Sequence, residues 1–309
     1  MKVIILGGFG FVGSRIAFYL RKKHKVILAS RRNGYNIFNK KKIKSLIERF
    51  KPDAIINCAS SHGGLNYINS TPATIFKENS KIYYDIYEVV AKIKTKPLII
   101  NLISNCSYYH ELAIQNEEKW LKGEAHESVQ PFAMAKRIAY YLSIFYFKQF
   151  GVKSKNFILP NAYGPGDYLD PKRTHALNGI IIRFIQSIKQ KQKTFEIWGT
   201  GRPKREWIYV DDIAKLILFE FSKNKLPLLT PVNFAQNKSY SILKITNLVK
   251  KNLKSTIDLK TDITKIDGAP LKQLGNKKFK KYFGNYKFMT IEKGITETIA
   301  YYQKINKLI

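Results

Sequence analysis

Lys2-Val3-Ile4-Ile5-Leu6 runs straight into Gly7-Gly8-Phe9-Gly10-Phe11-Val12-Gly13. The first five residues are mostly β-branched and apolar, the pattern of a buried strand. Gly7, Gly10 and Gly13 then repeat as G-x-x-G-x-x-G, and Phe11, Val12 and Gly13 lead into a segment of helical character over 13–23. Glycines at a strand-to-helix turn let backbone N–H groups approach a pyrophosphate, and the helix N-terminus adds partial positive charge. The same spacing also serves a tight turn packed for its own sake. The context favours a dinucleotide site: a strand before, a helix after and strand–helix alternation beyond.

That alternation is regular. Residues 25–29, 54–57, 98–103 and 155–159 read as further strands. Between them, 41–50 reads as a short amphipathic helix and 132–149 as a long aromatic-rich one closed by Gly151. Over 72–94, Ile75, Phe76, Ile82, Tyr83, Ile86 and Val89 recur at about helical spacing. The expectation is an α/β fold, a doubly wound parallel Rossmann sheet. After about residue 165 the pattern loosens into shorter, punctuated elements. These predict a smaller C-terminal α/β substrate-binding lobe over the carboxyl edge of the sheet, where open α/β sheets place ligands.

An NAD site usually has Asp or Glu at the end of the second strand, bound to the ribose diol. Here the strand ends Ala29-Ser30-Arg31-Arg32. Arginine in place of the acid suits a 2′-phosphate, which points to NADP(H). The alternative is that both arginines simply face solvent.

Composition narrows the class. With 45% hydrophobic residues over 309 positions the chain can bury a core, which excludes a disordered protein. No apolar run approaches the ~18 residues of a membrane span, and glycines interrupt the N-terminal run too early for a signal peptide. A cytoplasmic protein is expected. Cys58 and Cys106 are the only cysteines, which gives neither a disulfide framework nor a metal spacing. The formal net charge is +32. The lysines are dispersed and no nucleic-acid-binding module is recognisable, so they read as solvated surface; no nucleic-acid partner and no membrane partner are expected. Such a field still draws polyanionic ligands inward.

Further motifs follow in order. They are Ala59-Ser60-Ser61-His62-Gly63-Gly64, Ser104-Asn105-Cys106, Glu117-Glu118-x-x-Leu121-x-Gly123 and Phe132-x-x-x-Lys136. Next come Pro160-Asn161-Ala162-Tyr163-Gly164-Pro165, Thr174-His175 and Trp198-Gly199-x-Gly201-x-Pro203-x-Arg205-Glu206-x-x-Tyr209-Val210-Asp211-Asp212. The last is Asp267-Gly268-x-Pro270-x-Lys272. Over nearly the whole chain, order and spacing resemble the extended short-chain dehydrogenase/reductases, and within them the GDP-L-fucose synthases.

The resemblance implies roles residue by residue. Ser104 would hydrogen-bond the C4 oxygen of the substrate. Lys136 would bind the nicotinamide ribose and lower the pKa of a tyrosine four residues earlier. That position holds Phe132, which cannot donate a proton to the nascent alkoxide. Three explanations stand at this point: a deliberate Tyr-to-Phe change that traps the complex, Ser104 or a water as donor, or a protein that does not reduce. Cys106 and His175 match the residues that exchange protons beside the 4-keto group to invert C3 and C5. Taken alone, a cysteine is more often a small buried hydrophobe and a histidine more often structural.

Gly7, Gly10, Phe11, Val12, Gly13, Ser30, Arg31, Arg32, Ala59, Lys136 and His175 are the expected cofactor contacts. His62, Gly63, Ser104, Asn161, Arg183, Trp198, Arg205 and Lys272 are the expected GDP-sugar contacts, though Trp198 alone could be core. Leu271 departs from an arginine common in the family. Residues 1–165, with a return segment near 207–235, read as the NADP-binding domain; 166–206 and 236–309 read as the nucleotide-sugar lobe.

The activity implied is NADPH-dependent C4 reduction of a GDP-4-keto-6-deoxy-hexose or GDP-4-keto-heptose, with or without epimerisation. The alternatives are an NAD-holding nucleotide-sugar 4-epimerase or 4,6-dehydratase, and a catalytically dead nucleotide-binding protein. A homodimer through the 132–149 helix is expected, although Tyr140, Tyr141 and Phe145 on that helix could equally be core.

Overall fold

Strands that are apolar on both faces must lie between two helical layers, and β-branched runs of four to seven residues supply them. The computed structural model describes residues 1–63, 65–170, 173–265 and 267–306. Its first half runs β1 (Lys2–Leu6), α1 (Phe11–Leu20), β2 (Lys25–Ala29), α2 (Lys40–Phe50), β3 (Ala54–Asn57), α3 (Leu65–Ser70), α4 (Pro72–Lys92), β4 (Leu98–Ser104), α5 (Gln130–Phe150) and β5 (Ser154–Leu159). The second half runs β6 (Asn161–Tyr163), α6 (Ala176–Lys189), β7 (Thr194–Trp198), β8 (Lys204–Tyr209), α7 (Val210–Lys223), β9 (Pro231–Asn233), β10 (Ser239–Ser241), α8 (Ile242–Asn252), β11 (Asp258–Asp262), β12 (Leu271–Lys272), α9 (Lys277–Phe283) and α10 (Ile291–Asn306).

Six strands form a parallel sheet in the order β2-β1-β3-β4-β5-β9. The strand order reverses at β1, which opens the ligand crevice at the carboxyl ends of β1 and β3. Side chains alternate across the sheet. Val3 and Ile5 enter one core with Ile16 and Leu20 of α1 and Ile213 and Ile217 of α7. Ile4 and Leu6 enter the other with α2, α4 and α5. A third core joins α6, β7, β8, α8 and α10 in the C-terminal lobe.

Element ends differ from the periodicity in physically simple ways. Helix α1 starts at Phe11 rather than Gly13 because extended Gly10 serves as its N-cap. Helix α5 stops at Gly151, whose φ of 68° is the left-handed conformation glycine adopts without strain. Phe76 is exposed although Ile75, Ile82 and Ile86 are buried, because its helical direction lies one residue off the buried stripe. On α5, Tyr140 packs against Trp120 at 5.0 Å between ring centres, while Tyr141 and Phe145 face outward. Among the described residues, no helix is long and apolar enough to cross a membrane.

The segment 204–212 ties the layers together. Asp211 accepts two hydrogen bonds from Arg15 (2.6 and 2.7 Å) and one from Tyr19 (3.0 Å), fixing α1 against α7. Asp212 accepts from Tyr286 Oη and the Met289 N–H. Glu206, wholly buried, accepts from the backbone N–H groups of Gln236 (2.6 Å), Asn237 (3.1 Å) and Leu274 (2.8 Å). Burial pushes its carboxyl up to about 7, while the three N–H donors favour the charged form. Glu206→Leu strands those donors and should cost about 2–4 kcal/mol of stability. Urea unfolding reads this directly; an unchanged midpoint would show that the three bonds are dispensable.

Candidate active site

The phosphate loop is built by close approach. A Cβ on Gly13 would lie 2.4 Å from the Gly7 carbonyl oxygen, and one on Gly7, whose φ is +73°, would lie 2.9 Å from the Ala59 backbone. The Gly7 N–H donates to Ala29 O (2.8 Å) and the Gly10 N–H to Gly7 O (2.9 Å). Helix α1 begins without a capping side chain and without an acid in its first turn. Its first N–H groups, from Phe11, Val12 and Gly13, therefore remain available to an anion. This cradle fits a dinucleotide diphosphate.

Beyond β2, Ser30 caps a short 3₁₀ turn. Its Oγ accepts from the Arg32 N–H (3.1 Å), its own N–H donates to Asn33 Oδ1 (2.9 Å), and Asn33 Nδ2 donates to Leu28 O (2.6 Å). The turn leaves Arg31 and Arg32 exposed just beyond the carboxyl end of β2.

Ser104 closes β4 and starts a turn. The Cys106 N–H donates to Ser104 Oγ (3.4 Å) and Ser107 Oγ to Ser104 O (2.7 Å). Trp120 Nε1 and Arg137 Nε hold Ser107 from outside. Phe132 and Lys136 lie one turn apart on α5 and share a face. Phe132 is buried in a cluster with Cys106, Ile68, Ile75, Ala125 and Val129. The Lys136 ammonium sits 4.9 Å from the Phe132 ring centre and donates to Tyr83 Oη at 3.1 Å.

A row of rings crosses the site. Phe11 lies 5.2 Å from His175, His175 lies 4.9 Å from His62, and His62 lies 5.6 Å from Phe132. The His62 loop is pinned from below by Asn79, which bonds Ser60 Oγ, the Ser61 N–H and Ser61 O. Burial lowers the His62 pKa to about 3, and the charges of His175, Lys136 and Arg173 add to this while Asp167 opposes it. The ring is neutral.

His175 stands differently. Its Nδ1 lies 3.0 Å from Asp167 Oδ2, and its backbone N–H donates to the same oxygen at 2.8 Å. Burial works to raise the Asp167 carboxyl, but His175 and Asn178 outweigh it and hold the group at about 2. An ionised Asp167 puts the Nδ1 proton on His175 and orients the ring.

On the substrate side, Asn161 donates to Glu206 O (3.2 Å). Arg205 and Lys272 are direct partners in the β8–β12 pairing. Burial pushes Arg205 down to about 10 and Lys272 down to about 8. Two desolvated cations side by side call for an anion. In the lobe, Arg183 lies 4.3 Å above the Trp198 ring, and Trp198 is 51% exposed, so it is no core residue. A Cβ on Gly63 would strike the Tyr67 ring at 2.6 Å. Gly64 lies outside the described residues.

The structure thus links His175, His62, Phe132 and Lys136 in a row, with Cys106 packed against Phe132 and Ser104 joined to Cys106, while Arg183 and Trp198 pair with each other in the lobe. Three supporting residues escape sequence reasoning. Asp167 has only its nearness to His175 as a signal. Tyr83 and Asn79 reach the site from α4, where periodicity marks Tyr83 as core.

The sequence model described as the NAD dependent epimerase/dehydratase family matches residues 3–227. The GDP-L-fucose synthase of Escherichia coli K12 is 26% identical over 311 residues, covering 97% of this chain and 96% of its own. The solved GDP-L-fucose synthetase of Naegleria fowleri bound to NADP superposes with a TM-score of 0.85 at 20% identity, covering 99% of this chain and 95% of that one. A GDP-6-OMe-4-keto-L-xylo-heptose reductase from C. jejuni superposes at 0.88 with 20% identity, covering 99% and 98%.

A nucleoside diphosphate beside Lys272 stabilises its ammonium and raises its pKa. GDP binding, read by calorimetry, should therefore take up a proton at pH 8–9 and weaken as pH rises through about 8. Lys272→Met should cost about 10–100-fold in affinity and flatten that dependence. A pH-independent affinity in the unaltered protein would remove Lys272 from the anion site.

Proposed function

The chain belongs to the NAD dependent epimerase/dehydratase family, and from that premise we propose that it is an NADPH-dependent enzyme reducing C4 of a GDP-4-keto sugar, a 6-deoxy-hexose or a heptose. The observation that carries this reading is the row from Phe11 at the phosphate loop through His175, His62 and Phe132 to Lys136, which links the cofactor cradle to the reacting point. Relatives named as GDP-L-fucose synthase and GDP-L-colitose synthase, and solved neighbours named as heptose reductases, support the substrate class.

When bound, NADPH supplies the hydride. The chain does the rest. The glycine loop and the α1 N-terminus hold the cofactor diphosphate, and Arg31 and Arg32 hold the 2′-phosphate. Lys136 binds the ribose beside the nicotinamide. Ser104 Oγ donates to the C4 oxygen as charge develops there. Arg205 and Lys272 neutralise the GDP diphosphate, and Trp198 with Arg183 packs against the guanine or sugar face. His175, oriented by Asp167, and the Cys106 thiol face the carbons beside the ketone, where C–H protons are acidified and inversion is possible.

Phe132 favours a second reading, an impaired Tyr-to-Phe form of such a reductase. An NAD-holding epimerase or dehydratase is disfavoured by Arg31 and Arg32 and by Asn105 and Cys106, which are not acidic.

One experiment separates these readings. NADPH oxidation is followed with GDP-4-keto-6-deoxy-mannose and a GDP-4-keto-heptose in deuterated water. Turnover is expected, with NADPH preferred over NADH. Arg31→Ala/Arg32→Ala should reduce that preference about 10–100-fold. Cys106→Ser should abolish deuterium uptake at C3 and C5 if the thiol is an epimerisation base. Activity only after Phe132→Tyr establishes the impaired form, and inertness of both sinks the reductase reading.

The same reading includes a homodimer through α4 and α5, whose Tyr84, Tyr141 and Phe145 are 49%, 44% and 58% exposed. Light scattering should give twice the 35.8 kDa chain mass, and Tyr141→Glu/Phe145→Glu should give the monomer. A monomeric unaltered protein rejects the dimer.

A further inference from the structure

The stretch between β6 and α6 belongs to the C-terminal lobe, yet two of its side chains meet the glycine loop. The middle glycine of such a loop is the position where a missing Cβ lets the backbone approach a pyrophosphate. A Cβ on Gly10 would lie 3.1 Å from the Gly7 carbonyl oxygen and 3.9 Å from Tyr168 Oη. The Tyr168 hydroxyl therefore stands at the edge of the space that this glycine leaves open. At the next position of the loop, the Phe11 ring meets His175, 5.2 Å between centres.

One carboxylate fixes both contacts. Asp167, its side chain fully buried, accepts the Tyr168 N–H on Oδ1 at 2.9 Å. On Oδ2 it accepts the Thr174 hydroxyl (3.2 Å), the His175 N–H (2.8 Å) and Asn178 Nδ2 (2.9 Å). Tyr168 and His175 are thus anchored to the same group from either side of a turn in the chain. Arg173 lies inside that turn. Its N–H donates to Asp170 O (3.0 Å), and its guanidinium lies over the Tyr168 ring, 3.9 Å from the centre. Stacking on an aromatic face leaves the in-plane N–H donors of an arginine free for phosphate oxygens. Arg173 is exposed, so a ligand can reach it. Its charge also extends into the crevice: after burial, it is one of the positive neighbours that keep His62 neutral.

We propose that Tyr168 and Arg173 bind the diphosphate of the dinucleotide from the C-terminal lobe. Tyr168 Oη donates to a phosphate oxygen and the Arg173 guanidinium pairs with the same diphosphate. The proposal rests on the reading of the glycine loop as the dinucleotide site. That loop offers backbone N–H groups and the partial charge of a helix terminus. Residues 7–13 include no lysine or arginine, and Arg15 beyond them is engaged by Asp211. A diphosphate there carries full negative charge, and Arg173 supplies the full positive charge that the loop lacks. Because His175 follows two residues later, a bound cofactor also holds down the segment that presents its ring.

The test measures binding rather than turnover. NADPH, NADH and GDP are each titrated by calorimetry into the unaltered protein, Tyr168→Phe and Arg173→Met. Tyr168→Phe keeps the ring under the guanidinium and removes only the hydroxyl. It should weaken NADPH binding about 5–10-fold, and Arg173→Met should weaken it about 10–30-fold. NADH carries the same diphosphate and should weaken by the same factors, which leaves the preference for NADPH unchanged. GDP affinity should not change, which also shows that the variants are folded. In ³¹P spectra of bound NADP⁺, Arg173→Met should move the diphosphate resonances and leave the 2′-phosphate resonance in place.

Unchanged NADPH affinity in both variants overturns the proposal. So does a loss confined to NADPH, which assigns the two residues to the 2′-phosphate. A loss confined to GDP overturns it as well and assigns them to the substrate diphosphate. An unaltered protein that binds neither NADPH nor NADH fails the dinucleotide reading itself.

Discussion

The packing of Gly13 against the Gly7 carbonyl decides where everything else can go. With no room for a Cβ there, α1 leaves β1 at one angle and its N-terminus faces the crevice. Arg15 and Tyr19, one and two turns on, then meet Asp211 at the head of α7. Asp211 is only two residues past β8, and β8 carries Arg205 and Glu206. The β8 strand that carries Arg205 is therefore indexed to the glycine loop through a short chain of charged hydrogen bonds. Larger side chains in the loop would displace both together.

The reacting point is organised by rings rather than by a hydroxyl. In a tyrosine-containing site the lysine and phenol form one unit. Here the Lys136 ammonium lies over the faces of Phe132 and Tyr83 and keeps its hydrogen bond with Tyr83. A cation over two aromatic faces is well held even without a carboxylate. The lysine is thus held in place without the phenol that position 132 lacks. A lone Phe132 reads as a defect; Phe132 against His62 reads as one end of a row of tilted rings that runs on through His175 to Phe11.

What the sequence makes legible follows from physical range. The five N-terminal strands of the sheet and the glycine loop are marked locally, by β-branched runs and by positions that exclude a Cβ. Strands β6, β9, β10 and β12 are too short, at two or three residues, to show alternation. The partners that tune the site are joined across the fold. Tyr83 and Lys136 are 53 residues apart, and Asn79 acts on a loop 18 residues before it. Asp167 looks like a turn residue until His175 is seen folding back upon it. Phe76 shows the converse, an apolar residue that periodicity sends inward and the helix turns out.

Charge gives the site its direction. A chain of net charge +32 draws anions from every side, yet its important cations are those that have lost water. Arg183, Arg205 and Lys272 are all held below their usual pKa by burial, and His62 is held neutral by burial and its positive neighbours. For the three cations this is a cost in the free protein that a bound anion would relieve, whereas the His62 ring, neutral chiefly through its burial, carries no charge for an anion to compensate.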